Sequence, residues 1–296
     1  MLSAGWQLAA ATLRGAAPLV YATLGGWCAE RAGVVNLALE GLLLSGAFAA
    51  AVVAHTTHSA WLGALAGGLG GLALAAVYGL LVLRWRANQI VAGMGLNLLA
   101  AGLTPVLCKM LYDDTGRTPS LTLAERWQVA PLYGCWLLVA VAWFVARYTR
   151  WGLWHGFAGE QPAALDAAGV GVNRVRWVAV LTGGVVAGWG GAALSLGASS
   201  CFSRDLAAGR GYMALAALIF GRWRPVPAAL ACLLFGFCEA AQDRLQGVRF
   251  GSGEPVPVQF IQILPYVVTI LVLAGWAGAA RPPRALGTVF SREGNH

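Results

Sequence analysis

Lysine is all but absent from this chain. Lys109 is the one lysine among 20 basic residues, and no G-x-x-x-x-G-K-[ST] run occurs. ATP binding by a phosphate-binding loop is thereby excluded on this chain. Acid is scarce too, with 12 Asp and Glu in 296 residues and charged residues at 11%. So little polarity cannot cover a soluble core of this size. The six cysteines, at positions 28, 108, 135, 201, 232 and 238, include no C-x-x-C pair and no neighbouring histidine ligands. They read as packing residues of apolar runs rather than as a metal or redox site. His55 and His58 share a helix face, but no Cys, Asp or Glu lies near them in sequence, which points to a solvated turn. Gly209-Arg210-Gly211-Tyr212-Met213-Ala214 imitates a dinucleotide fingerprint without the strand–turn–helix setting that such a site needs. No Ser/His, Cys/His or His/Asp/Glu constellation falls on the apolar segments, so an enzyme is not expected. A basic cluster with interleaved aromatics is also missing, and with it a nucleic-acid surface.

What is there is hydrophobic, at 58% of residues. Apolar segments long enough to cross a bilayer recur at roughly 5–27, 34–54, 61–83, 89–110, 131–147, 177–198, 205–221, 225–246 and 260–280. The expected architecture is an all-α, polytopic transmembrane bundle of about nine spans, forming a single domain over 1–296. Arg14 interrupts the first segment and the seventh is short, so re-entrant alternatives set the range at eight to ten. The stretch MLSAGWQLAAATLRG has no basic region ahead of an apolar one, so the first span is expected to stay in the mature protein. Twelve of the 20 basic residues, among them Arg31, Arg84, Arg86, Arg147, Arg150, Arg174 and Arg176, collect on one side of this topology. That side is the cytoplasm, and residues 111–130 and 247–259 face outward. Glycines support close helix crossings, through two overlapping G-x-x-x-G steps at Gly63, Gly67 and Gly71 and another at Gly184 and Gly188.

The longest water-soluble interruption runs from Arg147 to Arg176, and within it Pro162 is placed to open a helix and Gly169 to close one. A helix of about two turns over Pro162–Ala168 is marginal by itself, so either the rest of the chain or a partner holds it. Residues 148–176 therefore read as a cytoplasmic docking loop. Glu160 is placed to sit by the positive end of the helix dipole, and Asp166 shares a face with Pro162.

Polar groups inside apolar runs mark a transport pathway or interhelical bonding: Asn36 and Glu40, then Asn88, Gln89 and Asn97, then Glu239, Gln242, Asp243 and Gln246. An ionised Glu40 against lipid would cost about 2.5 to 3.5 kcal/mol, so it is expected to be buried in protein. A path of amides, hydroxyls and indoles suits a neutral hydroxylated or heterocyclic solute better than an ion. A secondary transporter using Glu40 or Asp243 as proton carrier is the rival reading.

At these same residues a resemblance appears. GGWCAERAGVVNLALEGLLLSGAF (25–48), NQIVAGMGLNLLAAGLT (88–104), GEQPAALDAAGVGVNRVRW (159–177), GRGYMALAALIFGRW (209–223) and LFGFCEAAQDRLQ (234–246) resemble, in order and spacing, the permease subunits of bacterial ABC importers. The branch is that of nucleosides and simple sugars within the branched-chain amino acid and simple-sugar permeases. Gly159, Glu160, Pro162, Ala163, Asp166, Ala168 and Gly169 match the outline of that family's coupling pattern, with Ala164-Leu165 as a local variation. Trp154-His155 stand where a basic residue is more usual.

The resemblance implies a type II importer permease in the bacterial inner membrane, moving a nucleoside or similar small neutral solute, with riboflavin or a simple sugar as alternatives. It implies as partners an ABC ATPase carrying ATP and Mg, a second related permease, an extracytoplasmic solute-binding protein and membrane lipid. No cofactor on this chain and no nucleic acid are expected.

Overall fold

The computed structural model describes residues 2–245 apart from 115 and 128, together with 263, 267, 270 and 281–290. The expected ninth span, the outer stretch 247–259 and Gln246 lie outside the described residues except at those single positions. Helices run as α1 (Leu2–Arg31), α2 (Leu39–Thr57), α3 (Ala60–Arg84), α4 (Gln89–Tyr112) and α5 (Val129–Tyr148), then α6 (Arg150–Glu160), α7 (Pro162–Ala167), α8 (Val172–Ala198), α9 (Arg210–Phe220) and α10 (Pro225–Leu245). The final turns of α3 (Leu80–Arg84) and α8 (Ala193–Ala198) are π-helical. Among the described residues the only β feature is an isolated antiparallel bridge between Arg117 and Ser203.

Helix starts follow from local chemistry. The Asn88 side chain accepts from the N–H groups of Ile90 and Val91 at 3.0 and 3.2 Å, and the Thr149 hydroxyl accepts from Gly152 at 3.1 Å. Both fill donors that a first helical turn leaves open. Among the described residues α2, α3, α4, α8 and α10 are long and apolar enough to cross a membrane. α1 is one continuous helix of 30 residues that passes Arg14 unbroken. α9, under the short seventh segment, has 11 residues. At 1.5 Å per residue it reaches about 16 Å, half of a hydrocarbon core. By itself it is too short to cross one.

α8 is the axis of the bundle, packed by α1, α2 and α3. The approach is backbone to backbone: a Cβ added at Gly25 would stand 2.6 Å from Gly183 O, one at Gly46 2.4 Å from Gly188 O, and one at Gly71 2.2 Å from Gly184 O. Gly188 meets Gly67 O at 2.3 Å in the same sense, so the G-x-x-x-G faces of α3 and α8 do cross each other. Gly63 turns instead to Ala50 and Ala54 of α2. Where apolar solvent gives helices no hydrophobic reason to associate, such close approach maximises van der Waals contact.

The stretch 148–176 is not the loop its composition suggests. α6 occupies most of its first half, because Trp151 and Trp154 pack against a cluster of Ala32, Ala158, Val172, Val175 and Ala179 and the His155 ring goes inside. Burial outweighs the helix-weakening glycines at 152 and 156. Arg31 pairs with Glu160 at 2.9 Å, Ala285 N–H donates to Gly159 O at 2.8 Å and Gly287 N–H to Gly33 O at 3.0 Å. These contacts gather α6, α7 and 281–290 at one end of the bundle. The opposite end carries the loop after α4, whose Thr118 and Leu121 N–H groups donate to Phe202 O and Ser200 O at 3.1 and 2.7 Å. That separation is the one the arginine asymmetry expects.

Candidate functional site

Between α1 and α2 the chain is not helical. Gly33 takes φ +92, a region that costs an L side chain energy, and Val34–Asn36 after it is irregular. Irregular backbone among apolar helices has N–H and C=O groups with no regular partner of its own. Distant side chains supply them. Val35 N–H donates to Gln89 Oε1 at 2.8 Å, and Val35 O accepts from the Tyr78 hydroxyl. Asn36 N–H donates to Glu30 Oε1 at 3.3 Å, and the second Glu30 oxygen accepts from Trp223 Nε1 at 2.6 Å. Asn97 bridges further along, with Nδ2 donating to Leu37 O and Oδ1 accepting from Gly41 N–H, both at 2.8 Å.

Glu40 completes this polar belt. Its two carboxylate oxygens accept from Gly209 and Gly211 N–H at 2.8 and 2.7 Å, at the N-terminus of half-helix α9. Unpaired N–H groups and the positive end of the helix dipole are what a carboxylate stabilises. As expected from its cost against lipid, Glu40 is held within protein. The Asn97 amide also donates to the Tyr212 hydroxyl at 3.2 Å, and Tyr212 leaves 47% of its surface exposed, making it the accessible edge of the belt. Asn36 Oδ1 is buried without a hydrogen-bond partner among the described residues.

The structure therefore brings Asn36, Glu40, Gln89 and Asn97 together. Asn88 stands apart as the cap of α4. Glu239 pairs with Arg210 at 3.5 Å, one residue along from Gly209, while Gln242 lies one turn further along α10. Sequence reasoning missed Glu30, Tyr78 and Tyr212. Glu30 and Tyr212 lay inside runs already quoted for other reasons, but nothing local distinguishes them, since their partners are up to 193 positions away.

At the end of the bundle that carries α6, α7 ends in a Schellman motif: Gly169, at φ +81, donates to Asp166 O at 2.9 Å and Val170 to Leu165 O at 3.2 Å. Leu165 and Val170 make the accompanying apolar contact against Val172 and Val175. The short helix is thus held by its own chain through one face, leaving Ala163, Ala164, Ala167, Ala168 and Gly169 exposed. Ala168 is its cap rather than its last residue. Glu160 does not cap it: the carboxylate is drawn to Arg31 and to Arg284 N–H at 3.4 Å, because a full cation outcompetes a partial helix charge.

His155 lies beneath this segment, its Nε2–H donating to Cys28 O at 2.6 Å and its ring edge-on to Trp27. Burial, with nearby Arg31 adding to it, pushes the imidazole down to about 4. A depressed folded-state value means the unfolded chain takes up the proton first, so this contribution is complete above the ordinary 6.5 and lost as pH falls toward 4. The expected result is a thermal midpoint that drops between those values, with a shallower drop in His155→Gln. Parallel pH profiles would remove His155 from the explanation.

At the far end His58 sits exposed at the turn that closes α2, as the solvated-turn expectation has it, and it also gains a partner. The Glu125 carboxylate, buried, meets His58 Nδ1 through one oxygen and the Thr122 N–H at 2.9 Å through the other. A carboxylate 67 positions on supplies what the sequence neighbourhood of His58 lacks. Beside it an open cleft of about 610 Å³ is lined by Asp114, Arg117, Ser199, Cys201, Ser203 and Asp205.

Comparison with known proteins agrees with this architecture. A family model described as branched-chain amino acid transport system / permease component matches residues 8–273. The nucleoside ABC transporter permease protein NupC of Lactococcus lactis subsp. cremoris is 35% identical, over 92% of this chain and 93% of that protein. The guanosine ABC transporter permease protein NupQ of Bacillus subtilis is 32% identical, over 95% of each. The ribose import permease protein RbsC of Escherichia coli is 27% identical over 69% of this chain and 67% of that one. No solved structure matches.

Proposed function

Because the chain belongs to the family of branched-chain amino acid transport system permease components, we propose that it forms the membrane path by which an ATP-driven importer takes up a nucleoside. It is a transport subunit of the cytoplasmic membrane, working with a separate ATPase and a solute-binding protein. ATP and Mg are held by the ATPase. Two relatives named for nucleoside and guanosine transport cover more than nine-tenths of the chain.

The observation that carries the solute class is Tyr212, a half-exposed ring beside the Asn97 amide at the edge of the belt. An aromatic face suits a planar base, and an amide with a phenol suits a neutral hydroxylated sugar. Gln89, Asn36 and Glu40 act behind them as supports rather than as direct contacts. A second, related permease covers the outer face of α4, the least buried of the described spanning helices, where Met94, Leu98 and Val106 stand exposed. The exposed alanines of α7, with Glu160 and Asp166 at its ends, receive the ATPase.

The test is uptake of labelled guanosine by the complete importer in proteoliposomes, with ribose and riboflavin as competitors. Tyr212→Ala is expected to lower uptake about three- to tenfold, the equivalent of an aromatic pair. Gly169→Val strains the left-handed end of α7 by about 1–2 kcal/mol. It is expected to lower solute-stimulated ATPase activity while the permease still folds. Unaltered guanosine uptake in Tyr212→Ala, together with full competition by ribose or riboflavin, overturns the nucleoside assignment. Unaltered stimulation in Gly169→Val overturns the coupling role.

A further inference from the structure

At the cytoplasmic end of α3 the π-helical turn gives way to Trp85 and then to Arg86, which sits at φ +56. Between that turn, the start of α8 and residues 289–290 lies a cavity of about 240 Å³. Arg84, Arg86 and Arg176 line it, along with Gln89, Asn173 and Trp177, and the lining contains no carboxylate. Trp177 is fixed against Gly79, where an added Cβ would stand 2.6 Å from its ring.

Three positive charges in one cavity need a counter-charge. Arg176 is 1% exposed and, among the described residues, donates to neutral carbonyls, those of Ala32, Thr288 and Ala158 at 3.1, 2.7 and 3.3 Å. Carbonyls satisfy its N–H groups without neutralising it, and a buried charge in that condition is costly. Arg84 and Arg86 are exposed, and among the described residues neither makes an ion pair or a hydrogen bond. Among the described residues no carboxylate supplies that counter-charge.

We propose that this cavity binds the phosphate headgroup of an anionic phospholipid. The neighbouring surface selects lipid over a soluble anion: Trp85 is 71% exposed, and Leu80 and Val77 stand exposed about one and two turns back along α3. An exposed indole beside apolar helix surface marks the membrane interface, and a basic pocket at that depth meets headgroups while acyl chains run along the helix. The Asn173 amide supplies a hydrogen-bonding group for the glycerol part of the headgroup.

The test uses the complete importer, purified and returned to phosphatidylcholine vesicles with or without phosphatidylglycerol or cardiolipin. Retained lipid and thermal midpoint are read for wild type, Arg84→Gln/Arg86→Gln, and Arg147→Gln/Arg150→Gln as a control at exposed arginines outside the cavity. Anionic lipid is expected to stabilise wild type and the control, and the cavity variant is expected to need about thirtyfold more, at about 1 kcal/mol per arginine. Equal lipid responses in all three proteins overturn the proposal. Stabilisation by inorganic phosphate alone overturns the lipid assignment in favour of a free anion. Loss of the ATPase from the cavity variant with lipid retention unchanged assigns the arginines to that partner instead.

Discussion

Gly71→Val is expected to abolish accumulation of folded permease, whereas Gly102→Val is expected to leave it close to wild type. The two substitutions are chemically the same. At Gly71 the new Cβ would stand 2.2 Å from Gly184 O and 2.8 Å from Gly188 Cα, while at Gly102 nothing lies within 4 Å. Overpacking costs about 1–3 kcal/mol where side chains can shift. Here the obstacle is the backbone of α8, so α3 must move away from the helix that α1 and α2 also grip. The separation loses contact along the whole crossing. Gly188→Val is expected to behave like Gly71→Val, and Gly95→Val like Gly102→Val. The yield of monodisperse, detergent-extracted protein reads the effect. Comparable yields for Gly71→Val and Gly102→Val would show that the α3–α8 crossing does not hold the bundle.

Asn97→Leu is expected to be the most damaging polar substitution of similar volume. It leaves Gly41 N–H and Leu37 C=O without partners inside the bundle and releases the Tyr212 hydroxyl. Each orphaned buried group costs about 1–3 kcal/mol. Two of them amount to a large part of a typical stability of about 5–15 kcal/mol. Asn97→Asp retains the acceptor for Gly41 but not the donor for Leu37, so an intermediate loss is expected. Asn88→Ala removes only a helix cap, about 1 kcal/mol. Thermal unfolding of the four proteins orders them, with Asn97→Leu lowest. If Asn97→Leu and Asn88→Ala unfold together, the irregular segment is held by something other than the belt.

These outcomes separate what is written locally in the chain from what is not. Eight of the nine expected spans have a helix beneath them, and the ninth lies outside the described residues. Runs of apolar residues of bilayer length leave few alternatives, because lipid forces backbone hydrogen bonds to close within the segment. The ends of α7 follow from Pro162 and Gly169 for the same kind of reason: fixed φ at one end and freedom at positive φ at the other. The glycine faces of α3 and α8 were legible as spacing alone.

The belt was not legible. Val34-Val35-Asn36-Leu37-Ala38 reads as the start of a span because apolar composition does not distinguish a helix from a buried irregular stretch. Helix is lost there because Tyr78, Gln89 and Asn97 return to meet that backbone from 43 to 60 positions downstream. α6 looks like loop until Trp151, Trp154 and His155 find burial, and the partner of the exposed His58, Glu125, comes from 67 positions along the chain.

By itself the sequence determined the fold class, because apolar burial is summed over neighbouring residues, and the order and spacing of its motifs carried the family. Only the tertiary structure decided which polar side chains hold backbone and which stay exposed. A hydrogen bond needs a partner within about 3 Å, and for a segment without helical or sheet pairing that partner comes from far along the chain.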